Sequence, residues 1–309
     1  MASYHEPVLL KEVLDGLNIR DDGSYLDLTL GGGGHAEAIL KRLDPRSGLL
    51  TGVDQDEEAL DFSKKRLSPY PCFRAFYGNF GESSLWEKVG SLAPFDGILM
   101  DLGVSSHQLN EGARGFSFSK QAALDMRMDR NSSKTAWQAV NRLPEKELAD
   151  IIFLYGEERK SRKIAKAICS KRPVDTTIEL AEIIRSCFSA GERRTMSVDP
   201  ATRTFQAIRI YVNRELERLE NGLKEAAVRL KSGGRLVVIS YHSLEDRIVK
   251  NFIRTESRDC LCPKNVPVCV CGHKASLKAV NRKVIVPGGE EMAENPRSRS
   301  ARMRVAEKL

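Results

Sequence analysis

Short apolar runs and helical patterns alternate along the first hundred residues of the chain. The runs SYLDLTL at 24–30, LLTGVD at 49–54, FRAFY at 73–77 and FDGILMDL at 95–102 have the length and composition of β-strands. The stretches at 35–43 and 57–67, between the first three runs, have the character of helices. Strands that alternate with helices predict an α/β fold, in which helices cover both faces of a mainly parallel sheet.

This alternation stops after the fourth predicted strand. From about residue 106 to residue 200, helical spacing dominates and the sequence offers no good strand. A long helix is then predicted from Asp199 and Pro200 to the glycines at 233 and 234, followed by a strand at 235–240 and candidate final strands at 283–286 and 302–306. The sequence therefore predicts a first part of the α/β domain at 1–105, a helical insertion at 106–200 and a second part of the α/β domain at 201–309.

Composition narrows the class of protein. No stretch approaches the roughly 18 consecutive apolar residues of a membrane span, and the N-terminus has no apolar signal core. The seven cysteines are an odd number, and Cys72, Cys169 and Cys187 stand apart in apolar contexts. That usage suits a reducing compartment better than a disulfide framework. We expect a cytoplasmic protein with no membrane partner.

Charge is distributed unevenly along the chain. The net charge is −8 over residues 1–113, +6 over residues 114–220 and +9 over residues 221–309. An acidic front followed by a basic remainder predicts that the later part of the chain binds a polyanion, with a merely solvated basic surface as the alternative.

Glycines occupy the junction between the first predicted strand and the first predicted helix, at positions 31–34. A turn without Cβ atoms lets the backbone approach a ligand closely, and the N–H groups of the following helix point towards it. Asp54 ends the second strand, where a carboxylate in a doubly wound sheet faces the ribose hydroxyls of an adenosine-containing ligand. Asp101 ends the fourth strand at the same edge. Together these residues predict a site for a nucleotide-like cofactor.

Two cofactor classes fit this pattern. Gly31, Gly33 and Ala36 with Asp54 match the dinucleotide fingerprint, so a NAD-dependent oxidoreductase is one hypothesis. Asp27, four residues before the first glycine, has the spacing of the acidic residue in the first methyltransferase motif, and the helical insertion replaces the second half of a dinucleotide fold. Both features favour S-adenosylmethionine. A third hypothesis is a non-catalytic RNA-binding module that keeps the cofactor fold.

Seven motifs occur in order along the whole chain: YHEPVLL at 4–10, LTLGGGGH at 28–35, DLGVSS at 101–106, RGFSF at 114–118, LDMRMD at 124–129, SYHSLEDR at 240–247 and ENPRSRS at 294–300. Together they closely resemble the RsmH (MraW) family of bacterial ribosomal RNA small subunit methyltransferases. The resemblance implies a class I S-adenosylmethionine-dependent methyltransferase fold, which is Rossmann-like, with a helical insertion that recognises the RNA. It also implies methyl transfer to the exocyclic N4 of a decoding-centre cytidine in 16S rRNA. The sequence leaves open whether the substrate is free rRNA, a small subunit or an assembly intermediate, and whether the chain forms a homodimer.

The resemblance assigns the cofactor contacts to seven residues: Gly33, Gly34, His35, Asp54, Phe80, Asp101 and Gln108. The family often has proline before that glutamine, whereas this chain has His107. We expect a slightly altered loop that keeps the Gln108 contact. Structural alternatives stay open for three of the seven, since His35 could simply begin a helix, Phe80 could be ordinary core and Asp101 could be a cap.

Methyl transfer to an amine requires the nitrogen, the methyl carbon and the sulfur to be aligned. The lone pair of cytosine N4 is delocalised into the ring, so an acceptor for the amino hydrogens would assist the reaction. Asp101 is the first candidate for a catalytic role, and His242, after the strand at 235–240, is the second, with a structural role as its alternative. The Ser/Asp-Pro-Pro-aromatic motif of DNA enzymes that act on the same atom is absent, so no general base is assigned.

A cysteine cluster lies near the C-terminus. Cys260 and Cys262 are followed, after six residues, by Cys269 and Cys271. Four thiolates could enclose one tetrahedral zinc ion in a structural site. The spacing is Cys-x-Cys rather than the commoner Cys-x-x-Cys, and free cytosolic thiols are the alternative. The family resemblance implies that members with and without these cysteines exist, so we do not expect such a metal to take part in the chemistry.

Overall fold

The computed structural model describes residues 7–105, 108, 112–263 and 268–309. The chain forms two compact units: the first combines Met1–Gly103 with Leu216–Leu309, and the second is Val104–Glu215. Within the described ranges, no helix combines the length and the apolar character that crossing a membrane requires.

The first unit is built on a seven-stranded sheet with the order β3-β2-β1-β4-β5-β7-β6. The strands are β1 (Ser24–Asp27), β2 (Leu49–Asp54), β3 (Phe73–Tyr77), β4 (Phe95–Asp101), β5 (Leu230–Ser240), β6 (Leu277–Ala279) and β7 (Arg302–Lys308). The first five strands pair in parallel, whereas β7 runs antiparallel to both β5 and β6. The predicted fold class, a mainly parallel α/β sheet of the class I methyltransferase type, is confirmed.

Both faces of the sheet are buried along its central strands, which explains why β4 and the second half of β5 are apolar runs in the sequence. Along β4, Leu99 packs into the core on one face, while Ile98 and Met100 pack into the core on the other. Along β5, Val237 and Val238 are divided between the two faces in the same way. This alternation follows from the two-residue period of a strand.

Helices cover the sheet. They are α1 (Leu10–Leu17), α2 (Gly34–Leu40), α3 (Glu57–Leu67) and α4 (Ser83–Val89), and later the helices Glu215–Arg229, Ser243–Glu256 and Gly289–Glu294, with short 3-10 turns at Gly90–Leu92 and Pro296–Ser300. The boundaries of α3 follow from its capping, because the side chain of Asp56 accepts a hydrogen bond from Glu58 N at 3.2 Å and starts the helix.

The second unit is helical and has its own core. Its helices are Ala136–Arg142, Glu145–Gly156, Ser161–Ser170, Thr177–Ser186, Ala190–Thr195 and Ala201–Asn213, with a 3-10 turn at Gly112–Arg114. Fully buried residues such as Ile152, Ile164, Leu180 and Ile208 come from four different helices and pack together. Capping boxes at Thr135, Thr176 and Ser189 begin three of these helices.

The structure differs from the sequence prediction after residue 200. The predicted long helix is broken at Arg214, which adopts a left-handed backbone conformation with φ of 51°. Asn213 supports the break, because its Oδ1 accepts from Met128 N at 2.8 Å and its Nδ2 donates to Met126 O at 2.8 Å. The apolar face of Ala201–Asn213 therefore belongs to the core of the helical unit, and the boundary between the units lies at 215/216 rather than at 200/201. The apolar spacing continues across Arg214, so the sequence pattern does not reveal the break.

Smaller differences lie in the last third of the chain. The helix Glu215–Arg229 ends before the glycines at 233 and 234, where the sequence predicted its end, because Leu230 already pairs with Phe95 of β4. The candidate strand at 283–286 is reduced to a single bridge between Ile285 and Met303. The short strand β6 was not predicted, since three residues are too few to show a period.

Candidate functional site

The glycine turn after β1 is held in conformations that other residues rarely adopt. Gly31 and Gly33 have φ of 49° and 74°. A Cβ atom added to Gly33 would lie 3.2 Å from Ser63 Oγ, so this position also lacks room for a side chain. A Cβ added to Gly31 would meet only Thr29 O, at 3.7 Å. The turn therefore presents bare backbone at Gly31. Such a backbone allows a ligand to approach the chain closely.

Asp54, at the end of β2, is fastened to this turn. Its Oδ2 accepts a hydrogen bond from Gly31 N at 2.7 Å, and its Oδ1 accepts one from Asp56 N at 2.8 Å. Burial raises the pKa of this carboxyl to about 6. Each carboxylate oxygen carries a second lone pair, so the group can still accept hydrogen bonds from two hydroxyls.

Asp27 lies beneath the turn and is 1% exposed. Its Oδ1 accepts from Thr29 N at 3.0 Å and lies 3.4 Å from Thr29 Oγ1, which in turn accepts from Asp101 N at 2.6 Å. Burial raises the pKa of Asp27 to about 6. Because this carboxylate is enclosed, we infer that it positions the ends of β1 and β4 rather than contacting a ligand.

Asp101 ends β4, where Tyr241 holds its carboxylate and His35 lies nearby. Tyr241 donates its hydroxyl to Asp101 Oδ1 at 2.8 Å, and Asp101 Oδ2 lies 3.7 Å from His35 Nδ1. Burial raises the pKa of Tyr241 well above its usual value of 10, so the phenol stays protonated and remains a donor. Burial lowers the pKa of His35. His35 Nε2 lies 2.9 Å from Val8 O. In the neutral ring the proton therefore sits on Nε2, and the Nδ1 lone pair faces Asp101.

Phe80 is partly buried against the core beside the end of β3. Its ring contacts Gly222 so closely that a Cβ atom there would lie 2.5 Å from Phe80 Cδ2. Its carbonyl accepts from Trp86 Nε1 at 2.8 Å. The ring is thus fixed in place while part of its surface stays accessible. Next to it in the sequence, Asn79 is buried and donates a hydrogen bond to Gln55 Oε1.

Gln108 belongs to the second unit, where its side chain is buried. Its Oε1 accepts from Ser105 N at 3.1 Å, and its backbone N donates to Ser105 Oγ at 3.2 Å. The residue that departs from the family pattern, His107, lies outside the described residues. The contact of Gln108 with the cofactor stays a prediction.

His242 caps the helix Ser243–Glu256. Its Nδ1 accepts from Glu245 N at 3.4 Å, and the Glu245 side chain accepts from the backbone N of His242 at 3.3 Å. The capping box of this helix therefore starts at His242. The His242 side chain is 8% exposed, with Nε2 at 3.2 Å from Glu245 Oε1. These contacts describe a structural role, and a catalytic one stays a prediction.

Sequence reasoning missed Thr29 and Tyr241, which hold Asp27 and Asp101. Tyr241 directly follows β5, and the carboxyl ends of parallel neighbouring strands meet at one edge. This rule about strand ends could have identified Tyr241 from the sequence. Thr29 lies inside the glycine motif, but its bond to Asp101 N joins two strands and has no counterpart in a local pattern.

The topology separates the two cofactor hypotheses. A dinucleotide-binding sheet has six strands in the order 3-2-1-4-5-6, arranged as two mononucleotide-binding halves. Here the order 3-2-1-4-5 is kept, but an antiparallel β7 follows β5, so the sheet formed by the described residues has no parallel sixth strand beside β5. The architecture therefore disfavours the NAD-dependent oxidoreductase.

Comparison with known proteins agrees with this architecture. The model of the MraW methylase family matches residues 2–309. The protein named ribosomal RNA small subunit methyltransferase H from Carboxydothermus hydrogenoformans is 51% identical over 313 residues, covering 100% of this chain and 99% of the relative. The protein of the same name from Pelobacter propionicus is 48% identical over 314 residues, covering 100% of this chain and 100% of the relative. The resemblance found in the sequence is confirmed, and the chain belongs to the MraW methylase family.

Proposed function

We propose that this protein transfers a methyl group from S-adenosylmethionine to the exocyclic N4 of a decoding-centre cytidine in 16S rRNA. The observation that carries the proposal is the match over the whole chain to the MraW family and to relatives named ribosomal RNA small subunit methyltransferase H. The cytosine atom and its place in the RNA rest on the resemblance of the seven motifs.

The donor set at the sheet edge fits the cofactor. The Asp54 carboxylate suits two ribose hydroxyls, the bare backbone at Gly31 allows close approach, and the Phe80 ring offers a surface for adenine. Neutral His35 turns a lone pair towards Asp101 Oδ2, 3.7 Å away. An ammonium group placed beside these two acceptors would relieve their repulsion, and the amino acid end of S-adenosylmethionine carries such a group. Gly33, Gly34 and Gln108 complete the proposed contacts.

S-adenosylmethionine supplies an already activated methyl group, so the protein's task is mainly alignment. The carboxylate of Asp101, or backbone carbonyls after it, would accept hydrogen bonds from the cytosine amino group and draw its lone pair out of the ring. Tyr241 fixes the Asp101 carboxylate for this task through its 2.8 Å hydrogen bond. A cytidine within structured RNA must be splayed out to reach such a site.

RNA recognition is assigned to the basic helical unit. Arg159, Arg162 and Lys166, on and next to the helix Ser161–Ser170, are exposed. Exposed arginines and lysines at helical spacing can contact successive phosphates of an RNA backbone. We place the activity in the cytoplasm, on a small subunit or an assembly intermediate.

The proposal is tested with radiolabelled S-adenosylmethionine and three substrates: small subunits that lack the modification, precursor particles and free 16S rRNA. Label is expected in at least one of them, and mass spectrometry of nuclease fragments is expected to locate it on N4 of one cytidine. Subunits that already carry the modification serve as the control and should remain unlabelled.

Each other result counts against a defined part of the proposal. A methyl group on another atom would overturn the N4 assignment. A folded protein that binds S-adenosylhomocysteine but labels none of the substrates would overturn the RNA target. Binding of NAD in place of S-adenosylhomocysteine, measured by calorimetry, would overturn the cofactor.

A further inference from the structure

Four cysteine side chains converge in the segment between the helix Ser243–Glu256 and β6. The Sγ atoms of Cys260, Cys262, Cys269 and Cys271 all lie within 4.8 Å of one another. The Sγ atom of Cys260 is 3.4 Å from that of Cys269 and 3.9 Å from that of Cys271, and the Sγ atoms of Cys269 and Cys271 are 3.6 Å apart. A tetrahedral ion with metal–sulfur bonds of about 2.3 Å holds its sulfurs about 3.8 Å apart. The three Sγ–Sγ separations given above, 3.4, 3.6 and 3.9 Å, are close to that spacing.

Backbone N–H groups point at the sulfurs. Leu261 N donates to Cys271 Sγ at 3.3 Å, Cys262 N donates to Cys260 Sγ at 3.4 Å and Val270 N donates to Cys262 Sγ at 3.4 Å. Hydrogen bonds of this kind favour the charged thiolate over the neutral thiol. These donors hold three of the four sulfurs through contacts that a metal-bound thiolate can also accept.

Hydrophobic burial does not explain this convergence. The apolar side chains next to the cysteines point into solvent, with Leu261 43%, Val268 70% and Val270 80% exposed. The segment is joined to the helix Ser243–Glu256 at its base. Ser276 N donates to Glu256 O at 2.8 Å, and His273 Nε2 lies 3.1 Å from Thr255 O. His273 is thus already engaged, and the four sulfurs are left as the side chains that could bind a metal ion.

We propose that Cys260, Cys262, Cys269 and Cys271 bind one zinc ion as four thiolates and that this ion has a structural role. Four protein ligands close the coordination sphere, so the ion has no open position for a substrate or water. The Sγ separations exceed the roughly 2.05 Å of a disulfide, so the sulfurs are not arranged as two covalent pairs. The bound ion would join the described stretches 257–263 and 268–276, which carry the exposed basic residues Arg258 and Lys274.

The metal content of the full-length protein, purified without chelator under reducing conditions, tests the site. We expect one zinc per chain by elemental analysis and, after exchange with Co²⁺, the thiolate charge-transfer and visible absorption of a tetrahedral cobalt site. Cys260→Ser and Cys269→Ser should each weaken zinc affinity by more than about a hundredfold in chelator competition, beyond the 10- to 100-fold that loss of a supporting hydrogen bond costs. Cys262→His, which replaces one ligand type with another, should keep the metal.

Cys169→Ser is the matched control, because Cys169 is a free thiol in the helical unit, and it should bind zinc like the unaltered protein. Removal of zinc is expected to speed proteolysis within 257–276 without changing the affinity for S-adenosylhomocysteine, so this test does not depend on the proposed function. A protein that carries no zinc and takes up no Co²⁺ would overturn the proposal. So would iron in place of zinc, two disulfides found by thiol titration, or zinc binding that survives both serine variants.

Discussion

Replacing Asp101 with asparagine distinguishes a contact with the cofactor from a role in orienting the target amine. The substitution keeps the shape of the side chain and an oxygen that can accept the Tyr241 hydroxyl, but it removes the negative charge. In the structure that charge faces His35 Nδ1 at 3.7 Å, where the ammonium group of the cofactor is proposed to lie. We therefore expect Asp101→Asn to weaken binding of S-adenosylhomocysteine.

The magnitude follows from the kind of interaction that is lost. A hydrogen bond between an ammonium and a carboxylate contributes about 1.5–3 kcal/mol, which corresponds to a roughly 10- to 150-fold rise in dissociation constant. Tyr241→Phe is the matched control, because it keeps the charge and removes only the 2.8 Å bond that positions it. That variant should lose roughly 3- to 10-fold in affinity, the scale of one ordinary hydrogen bond.

The assay is calorimetric titration with S-adenosylhomocysteine at neutral pH, combined with single-turnover methyl transfer at saturating cofactor and with thermal melting. If Asp101 holds the cofactor, saturation should restore much of the rate of Asp101→Asn. If the affinity stays within about twofold of the unaltered protein while the single-turnover rate falls by about a hundredfold or more, Asp101 orients the amine instead. Normal melting with near-normal affinity and rate would refute both roles and leave Asp101 as a cap.

Three further predictions follow from the site and the helical unit. Because burial places the pKa of Asp54 at about 6, affinity for S-adenosylhomocysteine should fall as pH drops below about 6, and Asp54→Asn should bind more weakly at neutral pH and flatten this profile in calorimetry. A pH profile in the variant as steep as in the unaltered protein would contradict the ribose contact. Reversing Arg159, Arg162 and Lys166 to glutamate should lower the salt slope of RNA binding by about 2–3 in filter-binding measurements and leave cofactor affinity unchanged; an unaltered slope would make them ordinary surface charges. His242→Ala should cost about 1 kcal/mol of stability in denaturant titration, and His242→Asn, a good N-cap, should recover it with a normal single-turnover rate; a large loss of rate in the asparagine variant would point to catalysis.

Much of the fold could be predicted from the sequence because most strands of the parallel sheet are apolar and buried. Strands β2 and β3 occupy the predicted residues, and β1 and β4 differ only at their ends. The break at Arg214 could not be predicted, because it depends on hydrogen bonds between Asn213 and residues more than 80 positions away. Local pattern describes which residues are apolar, but it does not decide which of two cores a helix joins.

The candidate site shows the same division. Parallel strands place Asp54 and Asp101 at one edge, so their positions follow from topology alone. Gly31 N and Tyr241 restrain the two carboxylates, and Thr29 restrains the backbone of Asp101, at distances of 2.6–2.8 Å between segments far apart in sequence. The sequence could therefore indicate which acids lie at this edge but not which groups hold them.

The segment ERKSRKIAK at 158–166 carries five positive charges. Their separate roles follow from the folded structure rather than from the charge pattern alone. Lys160 and Lys163, three residues apart, both point to the end of the helix Thr177–Ser186, where their Nζ atoms lie 3.5 Å and 2.8 Å from Cys187 O. Cations at the C-terminus of a helix are stabilised by its unpaired carbonyls and dipole. Arg159, Arg162 and Lys166 are spaced by three and four residues, as on one side of a helix, and they are exposed. Reversing these three residues therefore tests the proposed RNA binding without removing the two hydrogen bonds to Cys187 O.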